Sequence, residues 1–172
     1  KFYKYADLVF TGSNDNNFFL EKKIHVKRAE VVLNYFPKQK SKKIIKNYKN
    51  KFINIFFIGR LVWDKNPQFF LKNLISLLNL YKFNIHIVGD GPYLSSLKLL
   101  SQNFKKRIKF YGHVKNPFEK FKNKIDIFSI NSKFDGTPNV LGEAMSYKIP
   151  CVAPKNVGLC NLLLLDGKYG SL

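Results

Sequence analysis

The stretch INIFFIGRLVWDKNPQFFLKNLISLLNLYKFNIHIVG, residues 53–89, predicts a strand, a turn, a helix and a second strand in that order. Residues 53–59 form a short, mainly apolar run, which is typical of a strand buried on both faces, and residues 84–89 predict a second strand. Between them, residues 66–81 place apolar side chains at helical spacing, and Pro67 lies near the first turn. Two such strands joined by a crossover helix predict a parallel βαβ unit.

The same alternation continues to residue 154. We predict a helix that begins at Pro92 and covers 92–104, and further strands and helices at 107–112, 116–123, 125–131, 137–148 and 150–154. Repeated alternation of this kind predicts an α/β fold with a Rossmann-like, doubly wound parallel sheet and helices on both faces. Ligands of such sheets bind outside the carboxyl ends of the strands. The candidate site therefore lies among the strand-to-helix turns at 59–66, 89–92, 111–116 and 131–138.

The chain before residue 51 has a different character. Residues 7–10 and 29–37 predict strands, and residues 14–22 predict a helix opened by a polar cap. Residues 38–51, KQKSKKIIKNYKNK, hold seven lysines in 14 residues. This segment is either a solvated connector between two domains or a basic patch that faces anionic lipid or substrate. Because the first residue is Lys rather than Met, we expect a fragment of a longer product.

Composition narrows the class of protein without fixing it. The 172 residues carry a formal net charge of +19 and are 45% hydrophobic. The charge indicates either attraction to something anionic, such as a membrane surface, a nucleotide or a nucleic acid, or only the codon bias of an AT-rich genome. Cys151 and Cys160 lack the spacing of metal ligands, and we expect a reducing compartment. No apolar stretch approaches the roughly 20 residues of a membrane helix.

Two cations stand in the first turn, GRLVWDKNP. Arg60 leaves the end of a strand and Lys65 precedes a helix, so both can converge on one anion beside the helix N-terminus. Arginine offers a planar fork for phosphate oxygens, and lysine offers a point charge. The alternative is a pair of ordinary surface cations on a loop.

The last turn, FDGTPNVLGEAMSYKIPCVAP at 134–154, combines a helix start with two acids. We predict that Thr137 caps the helix and that Pro138 occupies its first position. The N–H groups of Asn139, Val140 and Leu141 would then point out of the helix start, where a phosphate binds well.

The acids of this turn are Asp135, in a loop with Gly136, and Glu143, on the helix. Taken singly, Asp135 fits turn chemistry and Glu143 fits an exposed helix face. Carboxylates also accept hydrogen bonds from vicinal hydroxyls. Together with the cations and the helix start, they predict a receptor for a nucleotide diphosphate sugar.

The two middle turns contribute less. VGDGPYL suggests a dinucleotide fingerprint, but Leu94 stands where the third glycine should be, and the expected acid is replaced by basic sequence around Lys109. In FYGHVKN, Gly112 permits close approach of the backbone, so that His113 and Val114 lie at the rim of the site. We expect the backbone of this segment, rather than the imidazole, to contact a ligand.

FIGRLVWDKNP, IHIVGDGPYLSSL, IKFYGHVKN and FDGTPNVLGEAMSYKIPCVAPKNVG resemble, in order and spacing, the retaining glycosyltransferases called group 1 or family four. The family has the GT-B fold, two Rossmann-like domains that face each other across a cleft. The resemblance covers residues 53–172 as the nucleotide-sugar-binding C-terminal domain, which is expected to be incomplete at its end. Residues 1–50 resemble the end of the N-terminal, acceptor-side domain plus a lysine-rich linker.

The resemblance implies a role for each matched residue. Gly59, Arg60 and Lys65 match the glycine and the two cations that bind the donor diphosphate. The backbone of His113 and Val114 matches the segment that contacts the base, and the helix start matches the part that faces the phosphates, comprising Gly136, Thr137, Asn139, Val140 and Leu141. Asp135 matches a catalytic acid that is usually Glu and contacts the donor sugar. Glu143 matches the acid that holds the ribose hydroxyls. Asn66 replaces a common glycine.

The resemblance also implies the reaction and its setting. A sugar would pass, with retention, from a UDP- or GDP-linked donor to a glycan or lipid-linked acceptor in surface polysaccharide biosynthesis, without a metal or cofactor. The protein would be a cytoplasmic hexosyltransferase with peripheral contact to the anionic inner face of the cytoplasmic membrane, and it would not bind nucleic acid. The 172-residue chain alone is expected to bind nucleotide weakly and to transfer nothing. The alternative is a non-catalytic nucleotide- or partner-binding module of the same fold.

Overall fold

The computed structural model describes residues 3–32, 34–37, 39 and 52–172. Apart from residue 39, the predicted lysine-rich connector at 38–51 lies outside these residues. Within them the chain forms a two-stranded and a five-stranded sheet, and all strand pairs are parallel.

The small sheet is a βαβ unit made of β1 (Val9–Thr11), α1 (Asn14–Lys23) and β2 (Ala29–Val31). The predicted helix is confirmed with its polar cap, because the Ser13 hydroxyl accepts a hydrogen bond from the Asn16 N–H at 3.3 Å. The strand predicted over 29–37 is confirmed at Ala29–Val31 and is wrong at Val32 and residues 34–37. Within the described residues β2 pairs only with β1, and β1 ends at Thr11, so the ladder is not extended there.

The large sheet alternates strands and helices as predicted, with shorter elements: β3 (Ile53–Ile58), α2 (Pro67–Leu77), β4 (Phe83–Val88), α3 (Leu94–Leu100), β5 (Ile108–Phe110), α4 (Pro117–Phe121), β6 (Ile127–Ser129), α5 (Asn139–Ser146), β7 (Cys151–Val152) and α6 (Cys160–Leu163). The helix predicted over 92–104 is divided. At Ser101 the hydroxyl turns back to the carbonyls of Leu97 and Lys98, and a 3-10 helix, Gln102–Phe104, follows.

The strand order is β5-β4-β3-β6-β7, so the order reverses between β3 and β6. Crossovers on the two sides of this point leave in opposite directions and open a crevice at the carboxyl ends of the two strands. The doubly wound parallel sheet is therefore confirmed, and the reversal places its crevice after Ile58 and Ser129.

Helices cover both faces of the sheet, which explains why residues 53–58, apart from Asn54, are apolar without alternation. On one face, Phe56 is completely buried and packs with side chains of α4 and α5. On the other face, Phe57 is 3% exposed and packs with side chains of α2 and α3. Cys151 and Cys160 are free thiols in the first of these layers, where burial raises the pKa of Cys151 to about 12 and that of Cys160 to about 11. Both behave as small apolar side chains.

Asn66 and Asn116 set the entry of two helices. Each adopts a left-handed backbone, with φ of 51° and 50°, directly before the proline that opens α2 or α4. Asparagine tolerates this conformation better than most side chains. That tolerance explains how Asn66 stands where the resembling family commonly has glycine.

The turns at the carboxyl edge are locked to one another through their backbones. The Gly59 N–H donates to the Val88 carbonyl at 3.0 Å, and the Gly89 N–H donates to the Gly112 carbonyl at 2.7 Å. Gly89 has a φ of +136°, and a Cβ there would lie 1.9 Å from the carbonyl oxygen of Gly59. Gly89 thus allows the turns after β3 and β4 to meet, which accounts for a glycine that the dinucleotide interpretation did not explain.

We expect Gly89→Ala to lower the free energy of unfolding by about 3 kcal/mol or more, because the new methyl group forces the two turns apart. The matched control is Gly112→Ala, which also has a positive φ of +64° but meets no atom within 4 Å. It should cost only about 1–2 kcal/mol from backbone strain. Urea unfolding compares the two, and equal losses would contradict the packing argument.

His86 belongs to a buried polar network in the middle of β4. Its ring is 1% exposed and stacks on Phe56 with 4.4 Å between centroids. Its Nδ1 lies 2.8 Å from the Tyr111 hydroxyl and its Nε2 lies 2.9 Å from Asn54 Oδ1. Burial is the main cause that lowers the pKa of His86 from 6.5 to about 4. The positive charges of Lys124 and Lys109 also lower this pKa, and the negative charge of Asp126 opposes the shift.

This depressed pKa predicts loss of stability in acid. Between pH 6.5 and 4, His86 is protonated in the unfolded chain but stays neutral in the folded protein. The free energy of unfolding therefore falls as the pH falls. Above pH 6.5 His86 causes no such loss, and below pH 4 the free energy of unfolding is lower by about 3 kcal/mol. Urea unfolding at a series of pH values should show this slope, and His86→Gln should flatten it. An unchanged slope in the variant would assign the acid sensitivity to other groups.

Candidate functional site

A cavity of about 280 Å³ lies at the point where the strand order reverses. Its walls come from the ends of β3 and β6, the turns that follow them and the start of α5, namely Phe57, Ile58, Gly59, Arg60, Lys65, Ser129, Ile130, Ser132, Asp135, Thr137, Asn139 and Val140. Seven of the predicted site residues line it together. We call this space the switch-point cavity.

Its cations come from the turn after β3. Arg60 directly follows Gly59 and is exposed, whereas Lys65 ends the 3-10 helix Trp63–Lys65 and is half-buried. The Leu61 N–H donates to the backbone carbonyl of Asp90 at 2.8 Å, which fixes the start of the turn. The two positive side chains thus reach one cavity from a backbone anchored to the next turn.

Asp135 enters the same cavity and is paired with Lys65. The Lys65 ammonium lies 2.6 Å from Asp135 Oδ2 and 3.5 Å from a carboxylate oxygen of Asp64. The Ser132 hydroxyl lies 3.5 Å from the same oxygen of Asp135. The side chains of Lys65 and Asp135 are only 22% and 15% exposed, so water screens this pair less than it screens a surface pair. An anion that uses Lys65 must therefore compete with Asp135.

The backbone of the loop that carries Asp135 packs closely against Gly158. Gly158 has a φ of +51°, and a Cβ there would lie 2.0 Å from the Asp135 carbonyl oxygen. The neighbouring Leu159 N–H donates to the Gly136 carbonyl at 3.0 Å. Gly136 thus supports the loop through its backbone.

The start of α5 differs from the prediction at Thr137. Pro138 is the N-terminal cap, with ψ of 90° and no side-chain cap bond, and the helix begins at Asn139. The Thr137 hydroxyl instead donates to the Gly12 carbonyl at 2.6 Å, which ties the site loop to the turn after β1. The capping role of Thr137 was wrong because the helix starts one residue later than expected.

The predicted N–H donors of α5 are not equivalent. The Leu141 N–H donates to the Pro138 carbonyl at 2.9 Å, and the Leu141 side chain is completely buried. Asn139 and Val140 line the cavity. Their N–H groups are therefore the ones that a ligand could use at this helix start.

Glu143 lies one turn further along α5 and faces a second, larger cavity of about 850 Å³. This cavity is lined by Asn34, Tyr35, Phe36, Pro37, Gln39, Asn116, Pro117, Phe118, Glu119, Asn139, Glu143, Ser146 and Tyr147. Asn139 lines both cavities, so they adjoin at the first residue of α5. Glu143 is exposed, yet partial burial of its carboxyl raises its pKa above the ordinary value.

Residues 34–37 and 39 form another wall of the larger cavity. The Asn34 amide donates to Asn139 Oδ1. The Phe36 ring lies over Gly142, where an added Cβ would stand 2.3 Å from it. Sequence patterns did not identify these residues, because contacts between distant segments leave no local pattern. The glycine at 142, within a helix, was the one available indication of close packing.

His113 and Val114 are placed differently from the other predicted residues. His113 is exposed and follows Gly112, which has a φ of +64°. Val114 is half-buried and packs against the apolar core on the α4 and α5 face. Neither residue lines the switch-point cavity or the larger cavity.

The described residues contain no group of three or more His, Cys, Asp and Glu side chains that could hold a metal ion. Among the helices of the described ranges, none has the length and apolar character needed to cross a bilayer.

We expect Asp135→Asn to tighten the binding of inorganic pyrophosphate about fivefold, which corresponds to roughly 1 kcal/mol of removed competition for Lys65. Isothermal titration calorimetry at fixed ionic strength measures the change. The control is Asp7→Asn, which makes the same charge change at a side chain 87% exposed and paired with Lys27. Weaker binding by Asp135→Asn would mean that the acid mainly orients Lys65 for the anion.

Comparison with known proteins adds evidence that is independent of this geometry. A family model described as glycosyl transferases group 1 matches residues 53–172. Among curated proteins, the uncharacterized glycosyltransferase MJ1059 of Methanocaldococcus jannaschii is 28% identical over 199 residues, covering 99% of this chain and 48% of its own length. The UDP-Gal:α-D-GlcNAc-diphosphoundecaprenol α-1,3-galactosyltransferase of Escherichia coli is 32% identical over 136 residues, covering 76% of this chain and 34% of its own length.

A solved structure shows the same fold. The crystal structure of HepE from Anabaena in complex with UDP-glucose superposes with a TM-score of 0.74 at 22% identity, covering 94% of this chain and 48% of that one. The chain thus spans about half the length, or less, of the proteins it matches. Because the family model covers the whole five-stranded sheet and the cavity at its carboxyl edge, the chain belongs to the group 1 glycosyl transferases.

Proposed function

We propose that this chain is the nucleotide-sugar-binding part of a retaining hexosyltransferase. The donor is a UDP- or GDP-linked sugar, and the acceptor is a glycan or a lipid-linked glycan in surface polysaccharide biosynthesis. The observation that carries the proposal is the switch-point cavity, where Arg60, Lys65 and the start of α5 converge. The names of the relatives, which include a galactosyltransferase acting on a diphosphoundecaprenol substrate, support the substrate class.

The cavity suits a diphosphate better than a neutral ligand. Arg60 supplies a fork of N–H donors and Lys65 a point charge, while the N–H groups of Asn139 and Val140 lie at the positive end of α5. In the reaction, negative charge grows on the leaving diphosphate as the bond to the sugar breaks. Positive groups held in place before the reaction stabilise that charge, and loss of one such group costs on the order of a hundredfold or more in rate.

Asp135 would serve the donor sugar from the same cavity. Its carboxylate can accept hydrogen bonds from sugar hydroxyls once the diphosphate takes over its partner, Lys65. The donor thereby exchanges one anionic partner of Lys65 for another. This exchange would bring the acid into play only when a diphosphate is bound.

Glu143 fits a role in holding ribose hydroxyls, because it follows Asn139 on α5 and faces the adjoining larger cavity. The nucleoside would lie on that side, and His113 and Val114 would contact the base from the rim. A cytoplasmic enzyme with a basic surface against anionic lipid would meet a lipid-linked acceptor, which is where the net charge of +19 would act. Residues 1–50 would belong to the acceptor-side domain.

The second candidate is a non-catalytic nucleotide-binding module of the same fold. The observation that favours it is the ion pair between Lys65 and Asp135, which occupies both side chains with each other. Binding without transfer would distinguish such a module from an enzyme.

We expect Arg60→Ala to weaken UDP binding by at least about tenfold, because a charge-assisted contact to phosphate is lost. Ligand-observed saturation-transfer NMR on this chain detects even weak binding, with Arg28→Ala as the control. Arg28 directly precedes β2 of the small sheet, and its side chain is 69% exposed. If Arg60→Ala leaves the affinity for UDP unchanged, the diphosphate does not bind in the switch-point cavity.

Transfer is tested in the longest form of the protein that contains this chain, with radiolabelled UDP- and GDP-hexoses and lipid-linked acceptors. We expect an α-linked product from an α-linked donor, and Glu143→Ala should lower kcat/KM for the donor by about tenfold or more, because the ribose hydroxyls lose a charged hydrogen-bond acceptor. An inverted product would contradict the retaining mechanism. Nucleotide binding without transfer from any donor would favour the non-catalytic module.

A further inference from the structure

Two aromatic rings lie exposed beside the switch-point cavity. Trp63 is 56% exposed and Phe134 is 66% exposed. Their ring centroids are 5.7 Å apart and the planes are inclined by 29°, so they are stacked. The Lys133 ammonium stands 4.4 Å from the centroid of the Trp63 ring. We call Trp63, Phe134 and Lys133 the rim platform.

The rim platform is attached to the cavity through its backbone neighbours. Trp63 precedes Lys65 by two residues and Phe134 immediately precedes Asp135, and the two charged side chains form the ion pair of the cavity. The Lys133 N–H donates to the Asp64 carbonyl at 2.7 Å, which joins the two turns a second time. Both rings are therefore held in position by the loops that build the site.

Single exposed aromatic rings are common on this surface, but an exposed pair that is stacked beside a cavity needs an explanation. Large aromatic side chains are usually mostly buried, and leaving them in water forfeits a favourable transfer free energy. Exposed apolar groups beside a pocket are typical of ligand contacts. Trp63 and Phe134 contact each other yet more than half of each residue remains open to solvent. A ligand that covers them would gain the burial that folding does not provide.

We propose that the rim platform binds a pyranose ring of the acceptor. One face of a pyranose presents C–H groups whose partial positive charge suits the negative face of an aromatic ring, and its edge carries hydroxyls. The Lys133 ammonium, which lies over the Trp63 ring, is a hydrogen-bond donor next to the Phe134 ring and can donate to such hydroxyls. The chemical class that matches apolar rings with an adjacent hydrogen-bond donor is a carbohydrate.

The acceptor, rather than the donor, follows from position. Lys65 and Asp135 line the switch-point cavity, whereas the adjoining Trp63 and Phe134 do not. A donor whose diphosphate and sugar fill that cavity leaves the rings outside it, where a second sugar can contact them. This inference rests on the proposed function, because it requires that a sugar donor occupies the cavity.

The chain offers a direct reporter, because Trp63 is its single tryptophan. We expect methyl glycosides of galactose, glucose or N-acetylglucosamine, added to this chain at millimolar concentration, to shift tryptophan emission to shorter wavelength and to saturate. Saturation-transfer NMR should mark the C–H protons of the same glycosides. Glycerol, which carries hydroxyls but no ring, should cause neither effect.

Variants separate stacking from general binding. We expect Phe134→Ala to weaken glycoside binding about fivefold, in line with the loss of one aromatic contact. The control is Tyr81→Ala, which removes a ring that is 63% exposed just before β4, at the opposite edge of the sheet. It should leave glycoside binding unchanged, and circular dichroism checks that both variants are folded.

Three results would overturn the proposal. An emission shift with UDP alone would assign the rings to the nucleobase, and a shift with UDP-glucose but with neither UDP nor a glycoside would assign them to the donor sugar. If no glycoside gives a signal in either fluorescence or NMR, the rings do not bind a carbohydrate, and contact with a protein surface becomes the explanation for their exposure.

These outcomes are independent of the diphosphate test. If Arg60→Ala leaves UDP binding intact while glycosides bind at Trp63, the proposed function fails, and the rim platform remains a carbohydrate-binding site without its assignment to the acceptor. If Arg60→Ala abolishes UDP binding while glycosides do not bind, the subsite fails and the nucleotide site stands.

Discussion

Parallel pairing of β3 with both β4 and β6 is the constraint on which the site depends. A strand with parallel neighbours on both sides sends its crossover to one side, while the crossover of β6 leaves to the other, and the carboxyl edge opens between them. Lys65 and Asp135 are far apart in the sequence and become an ion pair only because their turns leave adjacent strands. The turns are then locked by backbone contacts that tolerate no side chain at Gly89.

The electrostatics of the cavity are more balanced than the net charge of +19 suggests. Arg60 is exposed, but Lys65 is engaged by an acid that lines the same cavity. A site in which the anion must displace a carboxylate selects for ligands that offer more than one negative oxygen, since a single weak contact does not repay the exchange. Preference for a diphosphate over a monophosphate is the expected result of this arrangement.

Much of the fold follows from periodicity, because continuous apolar runs such as 53–58 can be satisfied only between two layers of helices. The edge of the sheet that holds the candidate site follows from the same pattern. Properties that depend on contacts between distant segments could not be predicted: Thr137 bonds to Gly12 instead of capping α5, and β2 ends where β1 ends. Glu143 shares a helix with Asn139 but faces the adjoining cavity, a distinction that spacing alone does not reveal.

Gly158 has a consequence for how this protein can change over evolutionary time. It lies outside both cavities, yet its lack of a side chain allows the backbone of Asp135 to sit where it does. Any replacement would push the acid away from Lys65 without altering a single residue that touches a ligand. The candidate site can therefore diverge through drift at a position that a survey of cavity-lining residues would overlook.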